Sequence, residues 1–467
     1  VRCAGYRDTQ QLRITDESSA VQRKVASKQA PPAGQDVLWL PLSLEAQARD
    51  AFFMHYVAGT LTTWDFLKFH YPTNAAEHLA LSIDAASLAY LAHETHSETA
   101  LAIARKKYLL ALRTTNKALQ SPHLATEEPT LLAALVLDLF EKITNANSNH
   151  NGAWKSHVNG ALALVRLRGL DQFQKPSALK VLVRLSTNFV ITSVASCDPV
   201  PDELVTLRAY VAKQLDSVDP KWHLTDLMIC YANLRSNMSR NIISAEDYVK
   251  ASLKLEAQLQ ALSDRMPPSW RYETTILEHD SDRVYEDRVD TYLDRHVTQT
   301  WNVIRLVRIL LNQSVLQHCS RSGGNCLTES YLSWIQKRRD VVAQLARDIC
   351  ASVPQYLDCY RAGRAHESAQ GVTVVPEQDC KVFGGVCQLV SASRLLNCYS
   401  LIFPLYIVGS TTSSTSNMKP WVIRQFCCMA EHYGIRKAEL VASILKEGKQ
   451  TNPWTVYSVL GSYAFVA

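Results

Sequence analysis

Apolar side chains return every three or four positions through almost the whole of this chain, and that period leaves room for little besides helices. In NAAEHLALSIDAASLAYLAHET, residues Leu79, Ile83, Ala86 and Tyr90 fall on one face; in ETALAIARKKYLLALRTTNKAL, Leu101, Ala104, Tyr108 and Leu112 do the same. A strand would throw alternate residues to opposite faces instead. The turn residues that a sheet protein needs in number are also scarce, with 16 glycines and 17 prolines in 467 residues. The expected fold class is all-α.

The period carries on downstream. EEPTLLAALVLDLFEKI opens with Glu127 and Glu128, which suit the positive end of a helix dipole, and with Pro129 at an early helical position. TNANSNHNG is a polar loop, and AWKSHVNGALALVRLRG is a helix that ends on Gly169 as its cap. SALKVLVRLSTNFVITSVAS, DELVTLRAYVAKQL and AEDYVKASLKLEAQLQALSDRM follow, the last stopped by Pro267 and Pro268. RVYEDRVDTYLDRHVTQTWNVIRLVRILLNQSVLQHC reads as one long amphipathic helix, with Tyr292, Val297, Trp301, Ile304, Val307 and Leu311 inward. AGRAHESAQGVTVVPEQDC is expected as a surface loop, with helices near 385–407 and 419–446 after it. The expected layout is two packed helical lobes, 37–170 and 171–467, behind an irregular arm over 1–36. The aromatics Trp39, Phe52, Phe53, Tyr56, Trp64, Phe66, Phe69 and Tyr71 are expected to bury against the helices that follow them.

Charge and cysteines narrow the function classes. Hydrophobic residues are 47% and charged residues 20%, a balance that excludes wholesale disorder. A net charge of +5 neither requires nor excludes nucleic acid, although Arg2, Arg7, Arg13, Arg23, Lys24 and Lys28 make the arm locally basic. Twelve cysteines include no CxxC and no pair with histidines at zinc-ligand spacing. They read as reduced thiols used as small hydrophobes, for example Cys230 in LTDLMICYANL and Cys398 in RLLNCYSLIF. No run of about 18 consecutive apolar residues occurs, so no membrane partner is expected.

Searches for chemistry return little. GxSxG, HExxH, GxxxxGK[ST] and GxGxxG are all absent. His93, Glu94 and His96 lie together at a helix end without a visible further ligand, and read as a polar helix terminus facing solvent. Asp290, Asp294 and His296 in DTYLDRH read as a solvated helix face, the carboxylates four apart. Trp154 and His157 share a helix face, where a buried imidazole needs a partner and serves as an anchor. No catalytic residue and no cofactor are expected in this chain.

One segment carries a likeness. TLLAALVLDLFEKITNANSNHNGAWKSHVNGALALVRLRG resembles the core of the fungal-specific transcription factor domain, second type, which accompanies fungal zinc binuclear cluster (Zn2Cys6) proteins. The family's pattern is an apolar helix ending in an aromatic-Glu pair, a polar loop, then W-x-x-H-x-x-G-A and L-x-x-x-R-G. Phe140, Glu141, Trp154, His157, Gly160, Ala161, Leu164, Arg168 and Gly169 fill it here. Trp301, Asn302 and Arg305 in DTYLDRHVTQTWNVIRLVRILL are similar to the family's helix around a Trp-Asn and Arg pair. Cys3-Ala4-Gly5-Tyr6-Arg7-Asp8 resembles the junction that follows the last cysteine of the zinc cluster, which makes Cys3 a remnant sixth ligand. The chain begins on Val1, and the resemblance implies that five further cysteine ligands lie upstream and are missing here. One thiolate does not hold tetrahedral zinc. Zinc is thus expected only with an upstream cluster, and DNA only through that missing N-terminal module.

The resemblance implies the regulatory region of a nuclear factor that controls RNA polymerase II transcription, with a homodimer or a transcriptional co-regulator as partner. The alternative is a repurposed helical domain that binds or transforms a hydrophobic metabolite without DNA binding, through an isomerase- or cyclase-type pocket reaction. Its first candidate pocket residues are the aromatic strip 37–72 and His157.

Overall fold

The computed structural model describes residues 42–57, 64–70, 75–95, 97–144, 151–174, 176–213, 219–278, 284–322, 329–357, 392–411, 417–448 and 452–460. Helices form where the period predicts them. In chain order they are α1 (Leu44–Phe52), α2 (Glu77–Thr95), α3 (Glu98–Leu119), α4 (Pro122–Ala125), α5 (Glu128–Thr144), α6 (Asn151–Arg168), α7 (Pro176–Ser196) and α8 (Asp202–Ala212). α9 (Pro220–Ser239) and α10 (Ala245–Asp264) lead into a hairpin of β1 (Glu273–Ile276) and β2 (Arg288–Thr291). After it come α11 (Arg295–Ser322), α12 (Glu329–Ala351), α13 (Ala392–Ser410), α14 (Met418–Tyr433), α15 (Arg436–Glu447) and α16 (Pro453–Leu460). The fold class is all-α.

Local chemistry sets the ends. Ser97 caps α3 by accepting from the Ala100 amide at 3.2 Å, and Asp219 caps α9 by accepting from the Trp222 amide at 2.7 Å. Each satisfies one of the amides that the first helical turn leaves unpaired. At the other end, Gly434 and Gly448 close α14 and α15 in the left-handed conformation.

The hairpin departs from the sequence reading. Residues 288–291 pair antiparallel with 273–276, Asp290 opposite Thr274 and Val289 opposite Thr275. The long helix therefore starts at Arg295, and Tyr292 precedes it. Asp290 and Asp294 consequently do not share a helix face. Asp290 is completely buried in the strand, whereas Asp294 caps α11 through the Val297 amide at 2.9 Å. The period misleads here because four-residue strands are too short to show alternation.

Residues Leu44–Ala467 form one compact unit with a continuous apolar interior. α5 is its most enclosed element, buried without a break from Thr130 to Phe140. One described helical stretch, Ser177–Ser196 in α7, has the length and apolarity of a membrane span. It is 67% buried inside the protein, and Arg184 within it is fully buried, so its apolarity serves the core.

Of the aromatic strip, Phe52, Phe53, Trp64 and Phe66 are buried as expected. Phe69, within the short helical turn Asp65–His70, is 81% exposed, against the expectation. Trp39, Tyr71 and the side chain of Tyr56 lie outside the described residues. Cys350 and Cys398 are buried thiols, but Cys230 is exposed and lies on the outer side of α9.

Candidate functional site

The motif of α5 and α6 folds into two stacked layers of polar contact. In the upper layer, α3 supplies Tyr108, α5 supplies Glu141 and α6 supplies His157. The Tyr108 hydroxyl donates to Glu141 Oε1, and its oxygen lies 3.2 Å from His157 Nε2. With the hydroxyl proton committed to Glu141, the tautomer that fits is neutral His157 carrying its proton on Nε2. The Tyr108 ring stacks on Phe140 at 4.2 Å and 10°, and meets the His157 ring edge-on. Burial holds the His157 imidazole below its ordinary pKa, although Asp138 and Glu141 pull the other way. For Tyr108, burial and then the Glu141 carboxylate push the phenol upward. A neutral imidazole, a phenol that keeps its proton and a hydrogen-bonded carboxylate tie three helices together.

The lower layer is charged and dry. Asp138 and Lys142, four apart on α5, pair at 2.6 Å with side chains 1% and 2% exposed. Asn188 of α7 donates to the same Asp138 oxygen at 2.7 Å. Burial brings the Lys142 ammonium down to about 8; Asp138 opposes that fall and nearby Arg184 adds to it. Arg184 itself lies over the Trp64 ring at 4.4 Å, a cation–π contact inside the core. Sequence reasoning missed Asp138, Lys142, Asn188, Arg184 and Tyr108. Its available signal was an oppositely charged pair at helical spacing inside the otherwise apolar LLAALVLDLFEKI.

The second family-like stretch, around Trp301 and Arg305, builds a separate clamp. Trp301 Nε1 donates to the Trp270 carbonyl at 2.7 Å. Arg305 lies among the rings of Tyr272, Trp301 and Tyr292, 5.1, 5.3 and 5.7 Å from their centroids. Its guanidinium donates to the Tyr292 hydroxyl at 2.6 Å and to Asn302 Oδ1 at 3.2 Å. Asp290 lies 3.9 Å away and is held by Arg288 at 2.9 Å and by Thr274 at 2.7 Å. Arg288 reaches on to Asp348 of α12 at 2.7 Å. The aromatic cage is thus filled by the protein's own cation, and it fixes the hairpin to α11 and α12.

The motif glycines differ from each other. Gly169 has φ +76° just after α6, a conformation that side chains with a Cβ resist. Gly160 sits within α6, and a Cβ there would meet nothing within 4 Å. Gly169→Ala should cost about 1 kcal/mol, whereas Gly160→Ala should add about 0.5–1 kcal/mol by favouring the helix. Denaturant unfolding of the two variants should show opposite shifts of the midpoint. Arg168, half-buried, feels the Glu128 carboxylate at the start of α5.

The other candidates stay dispersed. Cys3, His96 and the side chains of Glu94 and Trp154 lie outside the described residues. Among the described residues, no group of three or more His, Cys, Asp or Glu is placed to hold a metal ion. His296, read as solvated, is half-buried against Trp270 at 5.4 Å and lies 3.4 Å from the Lys221 ammonium. An apolar cavity of about 130 Å³ opens between α7, α9, α11, α13 and α16. Neither His157 nor the aromatic strip lines it, so the pocket is not where the sequence places it.

Residues 54–355 match the model of a family described as the fungal specific transcription factor domain, which is more than half of the chain. Both polar clamps, Tyr108–His157 and Asp290–Arg305, fall inside that stretch. Comparison with curated proteins and with solved structures gives no match.

Proposed function

Since the chain belongs to the fungal specific transcription factor domain family, we propose that it is the regulatory region of a nuclear factor acting on RNA polymerase II transcription. The supporting observation is the family match across 54–355. The buried clamps agree with it, because their hydrogen bonds join elements of the body to one another, Asp138 to Lys142 and Asn188, and Arg305 to Tyr292 and Asn302. Zinc-dependent reading of DNA is not assigned to the described helical body, which has no metal-ligand cluster among its described residues. Its partner in this reading is a second copy or a transcriptional co-regulator.

Fusing the chain to an unrelated sequence-specific DNA-binding domain tests this in a fungal cell. The fusion should change a cognate reporter several-fold, up or down, relative to the DNA-binding domain alone. A nuclear fusion, present at equal level, that leaves the reporter unchanged would contradict the reading. The second reading, a helical body that binds a hydrophobic metabolite, is favoured by the cavity and is taken up below.

A further inference from the structure

The cavity is mostly apolar, with hydroxyls and one amide among its lining residues and a single charged side chain. Val190 and Val194 of α7, Leu224 of α9, Val303 of α11, Phe403 of α13 and Trp454 of α16 line it from five helices. Pro404 interrupts the hydrogen-bond ladder of α13 where that helix lines it. Among the described lining residues only Lys221 carries a full charge. It stands in the first turn of α9, next to the cap Asp219.

The Lys221 ammonium lies 3.4 Å from His296 Nδ1, and an ammonium held beside an apolar space with only a neutral partner is costly unless an anion also meets it. The groups around Lys221 do not supply enough negative charge. Arg295 at the start of α11 and Arg184 of α7 both add positive charge, and only the Asp219 carboxylate opposes them. That carboxylate is already engaged by the Trp222 amide. His296 contributes no anion and stays neutral, because burial, Lys221 and Arg295 push it down to about 3. The positive excess lies beside a space that can hold a hydrocarbon. A cavity of roughly 150 Å³ lined by Leu, Ile and Phe takes one benzene ring, so 130 Å³ suits a single ring or a short chain.

From this geometry we propose that the cavity binds a small amphipathic monocarboxylate, its hydrocarbon body in the apolar cleft and its carboxylate at the Lys221 ammonium. Five helices meet on the ligand, so it stabilises their mutual packing by mass action. The site goes beyond the transcriptional reading and is independent of it, because binding is measured on the protein alone.

The pH dependence follows from Lys221, which burial, Arg295 and Arg184 bring down to about 8 against the pull of Asp219. Below that value the ammonium is present and the ligand is still ionised. Affinity should therefore be highest near neutral pH and fall as pH rises past 8.

The test is titration calorimetry on the full chain with octanoate, 1-octanol and octylammonium, which share a chain and differ in the head. Octanoate should bind, and should bind about tenfold or more tightly than either of the others. Lys221→Met should lose that preference and keep 1-octanol, while Val194→Trp should exclude all three by filling the cleft. Far-UV circular dichroism confirms that the variants are folded. If Lys221→Met does not fold, the ranking of the three probes on the unaltered protein decides. Absence of octanoate binding, equal binding of octanoate and 1-octanol, or an octanoate affinity that a folded Lys221→Met keeps would each overturn the proposal.

Discussion

Asp138→Ala should lower the free energy of unfolding by about 3–5 kcal/mol near neutral pH, because it strands a buried ammonium. The Lys142 side chain is 2% exposed, and Asp138 is its paired anion at 2.6 Å. Without that anion the lysine either stays charged in a dry interior or folds uncharged. Both cost several kcal/mol when the unfolded chain holds the proton at an ordinary pKa of 10.5. Asn188 Nδ2 also loses its acceptor. The pH dependence has a definite sign. A lysine depressed in the folded state binds more protons when unfolded, so the variant should gain stability as pH rises from neutral towards 10.5. Denaturant unfolding at pH 7 and pH 9.5 checks this, and the deficit should shrink at the higher pH.

Arg305→Ala should cost a similar amount, about 3–5 kcal/mol, by leaving fully buried Asp290 with one cation fewer and three rings around a void. The loss should be felt first in the hairpin. Arg305 reaches Tyr292, and Gln355 of the turn after α12 grips the same residue through its backbone at 2.8 and 2.9 Å. Hydrogen exchange should speed up over 273–276 and 288–291 before it does so in α5. Arg305→Lys should restore little, since an ammonium lacks the planar fork that stacks on rings while donating to two partners. If exchange in the hairpin is unchanged in a folded Arg305→Ala protein, the cage does not hold it.

Much of the fold is legible in the sequence where one helix buries one stripe. α2, α3 and α5 follow directly from their period, and the end of α6 from Gly169. The hairpin is not legible: its strands are four residues each, their pairing partners lie 12 or more positions apart, and the apolar residues around Val289 and Tyr292 imitate a helical period. The site divides in the same way. His157 stands out as an imidazole on an apolar helix face, but Tyr108 is 49 residues away and nothing local marks it as the partner. Asp138 and Lys142 carry a local signal, a charged pair inside an apolar helix. Lys221 carries none, because its surroundings come from five helices that only tertiary packing brings together.

We propose that the polar layers around α5 fasten helices to one another and perform no chemistry of their own. Replacing the lower layer wholesale tests it most directly: Asp138→Leu, Lys142→Met and Asn188→Leu together, measured in the DNA-tethered reporter beside the unaltered chain. Exchanging a complete buried polar set for apolar groups of similar volume is often neutral for stability. The triple variant should fold and give reporter output within about twofold of the original, since the Lys142–Asp138 and Asn188–Asp138 contacts are removed together. A triple variant that melts at the original temperature yet leaves the reporter at the level of the DNA-binding domain alone would contradict it, because the charged layer would then be acting through something other than the fold.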